Sequence, residues 1–410
     1  MKNLFKNFSY LSLVQLINYG LPLIIIPFLI SKLGLDKFGL INYAVALSSY
    51  FLVIVDFGFN LHGTKEVKKN INCLIKVSKI NTSIYLIKLL LTIPALLVLI
   101  LLTFLIPKLG EHRTLHLLTF FYSVIQTMIP VWIFQGYEKM NYNLIITVIS
   151  KIVFLILILY GLVDYGYVFV PIAYLFSWLL AFIFAIVILI KIFKIYIIIP
   201  DLDDLKYHFN NSKHIFISQF SINFFRNLNP LILGYYSSDL IIGIYTTAEK
   251  IIKLIQSFQN PFGQALYPFL ITKWENYSIG ESLNYLKKKS FLPLGIFITM
   301  SLFGLLGSKF AIKYFVGEFN ERIFYNFIIL LPVVVIGGFN YYYGILGLIS
   351  LGLNNVFKKA ILKACSIGLV LMLCLNYFYQ DIGASISFLL TEIMLLFFII
   401  TSINKIINEK

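Results

Sequence analysis

The chain has 410 residues, a formal net charge of +15, 60% hydrophobic and only 12% charged residues, with a mean hydropathy of +0.89. Soluble domains carry about 25% charged and about 45–50% apolar residues, so this composition excludes an ordinary water-soluble protein and takes lipid as its solvent. In so apolar and aromatic a background the basic balance reads as the positive-inside signature of a membrane protein, not as a nucleic-acid surface.

A bilayer core of about 30 Å needs about 20 apolar residues per helix. Apolar runs predict about twelve such spans: 10–30, 40–59, 84–106, 115–134, 144–163 and 167–190, then, after a polar stretch, 215–236, 241–271, 291–310, 323–351, 361–379 and 384–403. Lys2 and Lys6 precede the first run, which lacks a small-residue cleavage site and is read as an uncleaved span. Cys73, Cys365 and Cys374 are odd in number and at no metal-ligand spacing, so they read as packing residues. With the N-terminus in the cytoplasm, connections on that side hold 21 Lys and Arg against seven on the other. Both termini are therefore placed in the cytoplasm.

The longest polar connection, 191–214, divides the chain into 1–200 and 201–410, each expected to form an all-α lobe of six helices. A shift of 204 residues places Gln15 on Gln219, Gly39 on Gly243 and Ala44 on Ala248. In the eighth predicted helix Thr246, Glu249, Lys253, Ser257, Asn260 and Gln264 recur at steps of three or four and share one face. The same shift lands on Asn42, Val45, Ser49, Val53, Asp56 and Asn60 in the second, four of them polar. The seventh helix has its own stripe, Gln219, Asn223, Arg226 and Pro230, and the first has Ser12, Gln15, Asn18 and Pro22. An even number of spans per half keeps orientation, so the repeat is parallel.

Setting aside the 28 Lys and Arg counted with the connections leaves five cations well within predicted spans, Lys88, Lys151, Arg226, Lys250 and Lys253, with the acids Asp56, Glu249 and Glu392. An ionised group near a helix centre costs roughly 2.5–3.5 kcal/mol on insertion scales, so the central ones should face water or a partner. Lys88 and Lys151 lie within two turns of a cytoplasmic end and are expected to snorkel outwards. Glu249 and Lys253, spaced i,i+4, are expected to neutralise each other. Arg226 and Lys250 then remain as a positive centre suited to an anion such as a phosphate. The competing reading makes the same polar residues interhelical glue. Glu392 reads equally as a proton site or the salt partner of a cation.

Pro22, Pro27, Pro261 and Pro268 bend their helices, which suits a chain that changes shape. Tyr341, Tyr342, Tyr343 and Trp132 could stack on sugar rings, although interfacial belts account for most membrane tyrosines. Asp201, Asp203 and Asp204 follow Pro200 and read as a helix N-cap more readily than as a metal site. His112 and His116 have helical spacing without a third ligand. There is no phosphate-binding Gly-Lys-Ser/Thr loop, which excludes an ATP-driven pump within this chain. No catalytic residue, cofactor or metal is expected.

Residues 21–60, LPLIIIPFLISKLGLDKFGLINYAVALSSYFLVIVDFGFN, resemble the opening of the Wzx-type O-antigen or capsular polysaccharide flippases of the multidrug/oligosaccharidyl-lipid/polysaccharide exporter superfamily. PVWIFQGYEKM at 130–140 and GIYTTAEKI at 243–251, followed by NPFGQALYPFL, agree with it. The resemblance implies two six-helix lobes in a V around a central cavity lined by the first, second, seventh and eighth helices. It implies a non-enzymatic flippase of the bacterial inner membrane. Undecaprenyl-pyrophosphate-linked oligosaccharide is the implied cargo, with a polysaccharide polymerase and a chain-length regulator as candidate partners.

Carried onto this sequence, the candidate binding residues are Gln15, Asn18, Asn42, Asp56, Gln219, Asn223, Arg226, Glu249, Lys250, Lys253 and Asn260. Asp56, Glu249 and Glu392 are candidates for ion coupling. Unlike the family it resembles, the chain has no basic residue on the stripes of its first two helices, where Pro22 and Asp56 stand. Two rival readings are a cation-coupled small-molecule exporter of the same superfamily, whose cavities favour acids, and an O-antigen polymerase, which needs a large periplasmic loop bearing Arg.

Overall fold

In lipid the backbone amides of a long Leu-, Ile- and Phe-rich run can be satisfied only within a helix or a closed barrel, and this chain takes the helix. The computed structural model describes residues 2–257, 259, 266, 270, 274 and 277–408, with side chains throughout except at 2–9, 11, 12, 16, 163, 164, 218, 221, 222 and 224–226. Eight of the described helices are long and apolar enough to cross a membrane. Large side chains such as Phe104, Leu105, Tyr160, Phe303, Leu306 and Phe310 are strongly exposed on them, as lipid contact requires.

Two of the eight each contain two of the expected spans. Helix α1 (Lys2–Asp56) turns at Gly34, whose φ of 79° is open to glycine without a side-chain clash. The 55-residue helix Asn354–Asn408 turns at Gln380, with φ 51°. A glutamine holds such a backbone only where its surroundings impose it. Here Arg322 donates to Gln380 Oε1 at 3.0 Å and, through Nε, to both carboxylate oxygens of Asp381 at 3.0 Å. Asn326 Nδ2 donates to Asp381 at 2.6 Å. The expected spans 215–236 and 241–271, which carry the polar stripes, are helical where described, as Leu202–Arg226, Leu228–Tyr236 and Asp239–Ser257, but are not among those eight.

The chain gathers into two compact units, one of Met1–Ile25 with Tyr43–Asn227 and one of Ile26–Asn42 with Leu228–Lys410. They depart from the sequence halves at two places, and local packing explains both. Within the first unit Phe57 stacks on Phe209 and Phe216, with ring centroids 4.6 and 4.5 Å away, which fastens the start of the 202–226 helix. Within the second unit the segment around Gly39 meets the helix Asp239–Ser257. A Cβ on Gly39 would come within 1.9 Å of the Asp239 carbonyl oxygen, and one on Gly243 within 2.0 Å of the Leu35 carbonyl oxygen. Positions 35 and 239, like 39 and 243, are 204 residues apart, so this crossing is built by equivalent positions of the predicted repeat. Only residues without a Cβ allow so close an approach.

The first unit has cores around Trp132, Phe134, Phe59 and Ile84 and around Phe51, Phe120 and Leu99. The second packs Leu283, Leu286, Leu346, Leu348 and Ile399 together.

Candidate functional site

In the first unit the charge at Asp56 is met from within the bundle. Asp56 ends helix α1 and is buried. Its Oδ1 accepts from Lys88 Nζ at 2.9 Å and from Asn60 Nδ2 at 2.8 Å. Lys88 has no exposed surface, donates also to the Thr127 carbonyl at 2.6 Å and lies 4.6 Å from the Trp132 ring centroid. The expectation that Lys88 snorkels outwards is corrected: its partner lies 32 residues earlier, a pairing that no local spacing reveals. Lys151 is half-buried, with Nζ 6.0 Å from the Trp178 ring. Trp132 is completely buried and donates to Asn81 at 3.2 Å, so it packs the core and offers no sugar platform.

The other first-unit candidates are less committed. Gln15 and Gln219 are half-buried and Asn18 is exposed. Asn223 Nδ2 bonds back to the Gln219 carbonyl at 2.9 Å within its own helix. Arg226 closes that helix, but its side chain, like all of Asn260, lies outside the described residues.

The second unit holds a cationic patch. Glu249 is buried and pairs with the exposed Lys253 at 2.9 Å, the i,i+4 pair expected. Lys250 is half-buried, with Nζ 5.6 Å from the Phe38 ring centroid. Among the described residues no carboxylate lies within ion-pair distance of it, so the patch carries net positive charge. Asn42 Nδ2 bonds back to the Phe38 carbonyl at 2.7 Å.

Glu392 accepts from Asn340 Nδ2 at 2.6 Å. Asn340 opens a π-helix, Asn340–Ile349, a form concentrated at functional sites. The same π-helix turns Tyr342 and Tyr343 into the core, where Tyr342 donates to the Leu286 carbonyl, so neither is a sugar platform. Sequence reading missed the Asp381 clamp, the Asn340–Glu392 bond and a buried amide pair in which Asn376 donates to Asn229 at 3.3 Å. Polar residues in apolar runs mark all three, but their pairing is tertiary.

At the polar ends of the helices the N-cap reading of the aspartates holds. Asp204 N–H donates to Asp201 at 2.8 Å and Asp201 N–H to Asp204 at 3.2 Å. The Asp204 backbone donor, then Lys79, hold the Asp201 carboxyl down at about 2. His208 and His62 share a ring-nitrogen hydrogen bond of 2.9 Å. Burial lowers the pKa of His208 against the opposing pull of Glu66 and Asp204, which keeps that imidazole neutral.

Helices of membrane-spanning length, with ionised groups paired inside the bundle or gathered on one cationic patch, define a multi-pass membrane protein. Its fold is shared with solved transporters. An inward-facing multidrug resistance MATE family transporter of the MOP superfamily superposes with a TM-score of 0.70 at 14% identity, over 98% of both chains. The lipid II flippase MurJ in an inward closed conformation superposes equally well, at 14% identity over 98% of this chain and 90% of its own. A family described as polysaccharide biosynthesis protein matches residues 4–274, and the chain belongs to it. Among its relatives are two proteins named as candidate O-antigen transporters. That of Escherichia coli (strain K12) is 27% identical, covering 94% of this chain and 93% of its own. That of Shigella dysenteriae is 23% identical, covering 97% and 100%.

Proposed function

We propose that the chain is a flippase that carries undecaprenyl-pyrophosphate-linked oligosaccharide repeat units from the cytoplasmic to the periplasmic leaflet for surface polysaccharide assembly. It is a transporter and not an enzyme. It sits in the bacterial inner membrane with twelve spans, in two six-helix lobes at 1–200 and 201–410, and with both termini in the cytoplasm. A polysaccharide polymerase and a chain-length regulator act next to it. The observation that carries this reading is the cationic patch of the second unit, in a chain whose relatives are named for O-antigen transport. A pyrophosphate head stripped of water needs replacement donors. Lys250, with Arg226 and Lys253, supplies charge-assisted ones, while amides such as Gln15, Asn18, Asn42, Gln219, Asn223 and Asn260 take the uncharged part of the head.

The cycle is alternating access, the head travelling in a polar environment and the polyprenyl tail remaining in lipid. A coupling cation would compete with Lys88 at Asp56 and with Lys253 at Glu249, and at Glu392 it would meet a carboxylate already oriented by Asn340. The test uses cells lacking their own O-antigen transporter, complemented with this chain. Replacing Arg226 and Lys250 together by Ala, with wild-type levels of inserted protein, is expected to abolish surface polysaccharide. Unchanged surface polymer would refute their role.

A further inference from the structure

The first unit contains a pocket of about 260 Å³, lined by Asp56, Asn60, Gln126, Asn143, Thr147 and Trp178 among others. With Lys88 paired to Asp56 its chemistry is neither that of an anion site nor that of a cation site: Asp56 repels a phosphate, a cation enters only by displacing Lys88, and the two charges cancel.

Uncharged donors and acceptors in complementary array remain. Both hydrogen bonds to Asp56 land on Oδ1, which leaves Oδ2 to accept. Asn60 gives its Nδ2 to Asp56 and so helps to fix that carboxylate. Gln126 and Asn143 add amides that both donate and accept, Thr147 adds a hydroxyl, and Trp178 adds an apolar ring surface. A rigid acceptor, adaptable amides and one indole suit a ring that bears hydroxyls at its edge and C–H bonds on its face. At about 30 Å³ per water the pocket equals roughly nine waters, a space on the scale of one sugar ring and far short of an oligosaccharide.

We propose that this pocket is a carbohydrate subsite that takes a single uncharged pyranose of the cargo's head, with Asp56 Oδ2 accepting from one of its hydroxyls and Gln126, Asn143 and Thr147 bonding the others. The proposal deepens the flippase reading and rests on it. It adds a second recognition task, the reading of a sugar within the first unit, to the binding of the pyrophosphate common to all such lipids. Lys88 serves here as a positioning residue that fixes the Asp56 carboxylate.

The test measures binding isotherms on the purified full-length protein with two probes. One is the free repeat-unit oligosaccharide released from the host's own surface polysaccharide, and the other is undecaprenyl pyrophosphate without sugar. Asn143→Ala and Gln126→Ala are each expected to weaken oligosaccharide binding about tenfold, the scale of one lost hydrogen bond in a polar site. Both should leave the affinity for undecaprenyl pyrophosphate unchanged, and Lys250→Ala should do the reverse. If the wild type binds the pyrophosphate lipid but not the oligosaccharide, or if both pocket variants bind the oligosaccharide as tightly as wild type, the subsite is overturned and the flippase reading stands. Binding of neither probe would overturn both.

Discussion

At Lys88 the cost of placing an ammonium inside an apolar bundle is offset by a carboxylate at 2.9 Å, a carbonyl at 2.6 Å and an indole face. Removing one partner of such a pair leaves the other charge buried alone, which typically costs about 3–5 kcal/mol, whereas apolar or neutral replacements of both can be nearly neutral. Asp56→Ala is therefore expected to destabilise the detergent-solubilised protein by about that amount, and Asp56→Asn combined with Lys88→Met to recover most of it. Thermal unfolding of the single and double variants checks this; a double variant as unstable as the single one would contradict the pairing. Residue by residue, the sequence made the charges conspicuous but not their partners. Glu249 and Lys253 were legible because helical spacing sets their contact. Lys88 and Asp56 were not, because two helices must pack before they meet.

Among the elements, the crossing of Gly39 with Gly243 is the most constrained contact. Each glycine lies under a backbone carbonyl of the other helix of the pair, so an added methyl meets an atom that cannot rotate away. Gly243→Ala is expected to cost about 1–3 kcal/mol through overpacking. Gly295→Ala, whose new Cβ would have nothing within 4 Å, is expected to cost nothing. Denaturation of the two variants side by side is the check, and equal behaviour would remove the crossing from the account. At this scale the sequence predicted the helices well, since apolar runs of bilayer length have little alternative. It read two helices on either side of Gly34 and of Gln380, and the structure has them, joined by a sharp turn at each position. It did not foresee the π-helix at Asn340–Ile349, in which Tyr342 and Tyr343 are buried.

Over the whole molecule, the 204-residue relation read from weak identities acquires a physical meaning in the matched contacts of Leu35, Gly39, Asp239 and Gly243. The compact units nevertheless exchange segments with the sequence halves, because aromatic stacking at Phe57 and the glycine crossing act across the polar connection used to divide the chain. The cationic patch was legible as uncompensated lysine in an apolar run; the neutral pocket was not, since its lining comes from four separate stretches of chain. The most direct measurement of the central claim is transport itself. Purified protein is placed in liposomes containing a pyrophosphate-linked oligosaccharide lipid, and a membrane-impermeant glycosidase added outside reports the heads that reach the outer leaflet. Cleavage should run past the outer-leaflet fraction towards completion with the wild-type protein and slow markedly with Arg226 and Lys250 both replaced by Ala. Cleavage that stops at the outer-leaflet fraction, as in protein-free liposomes, would contradict the account.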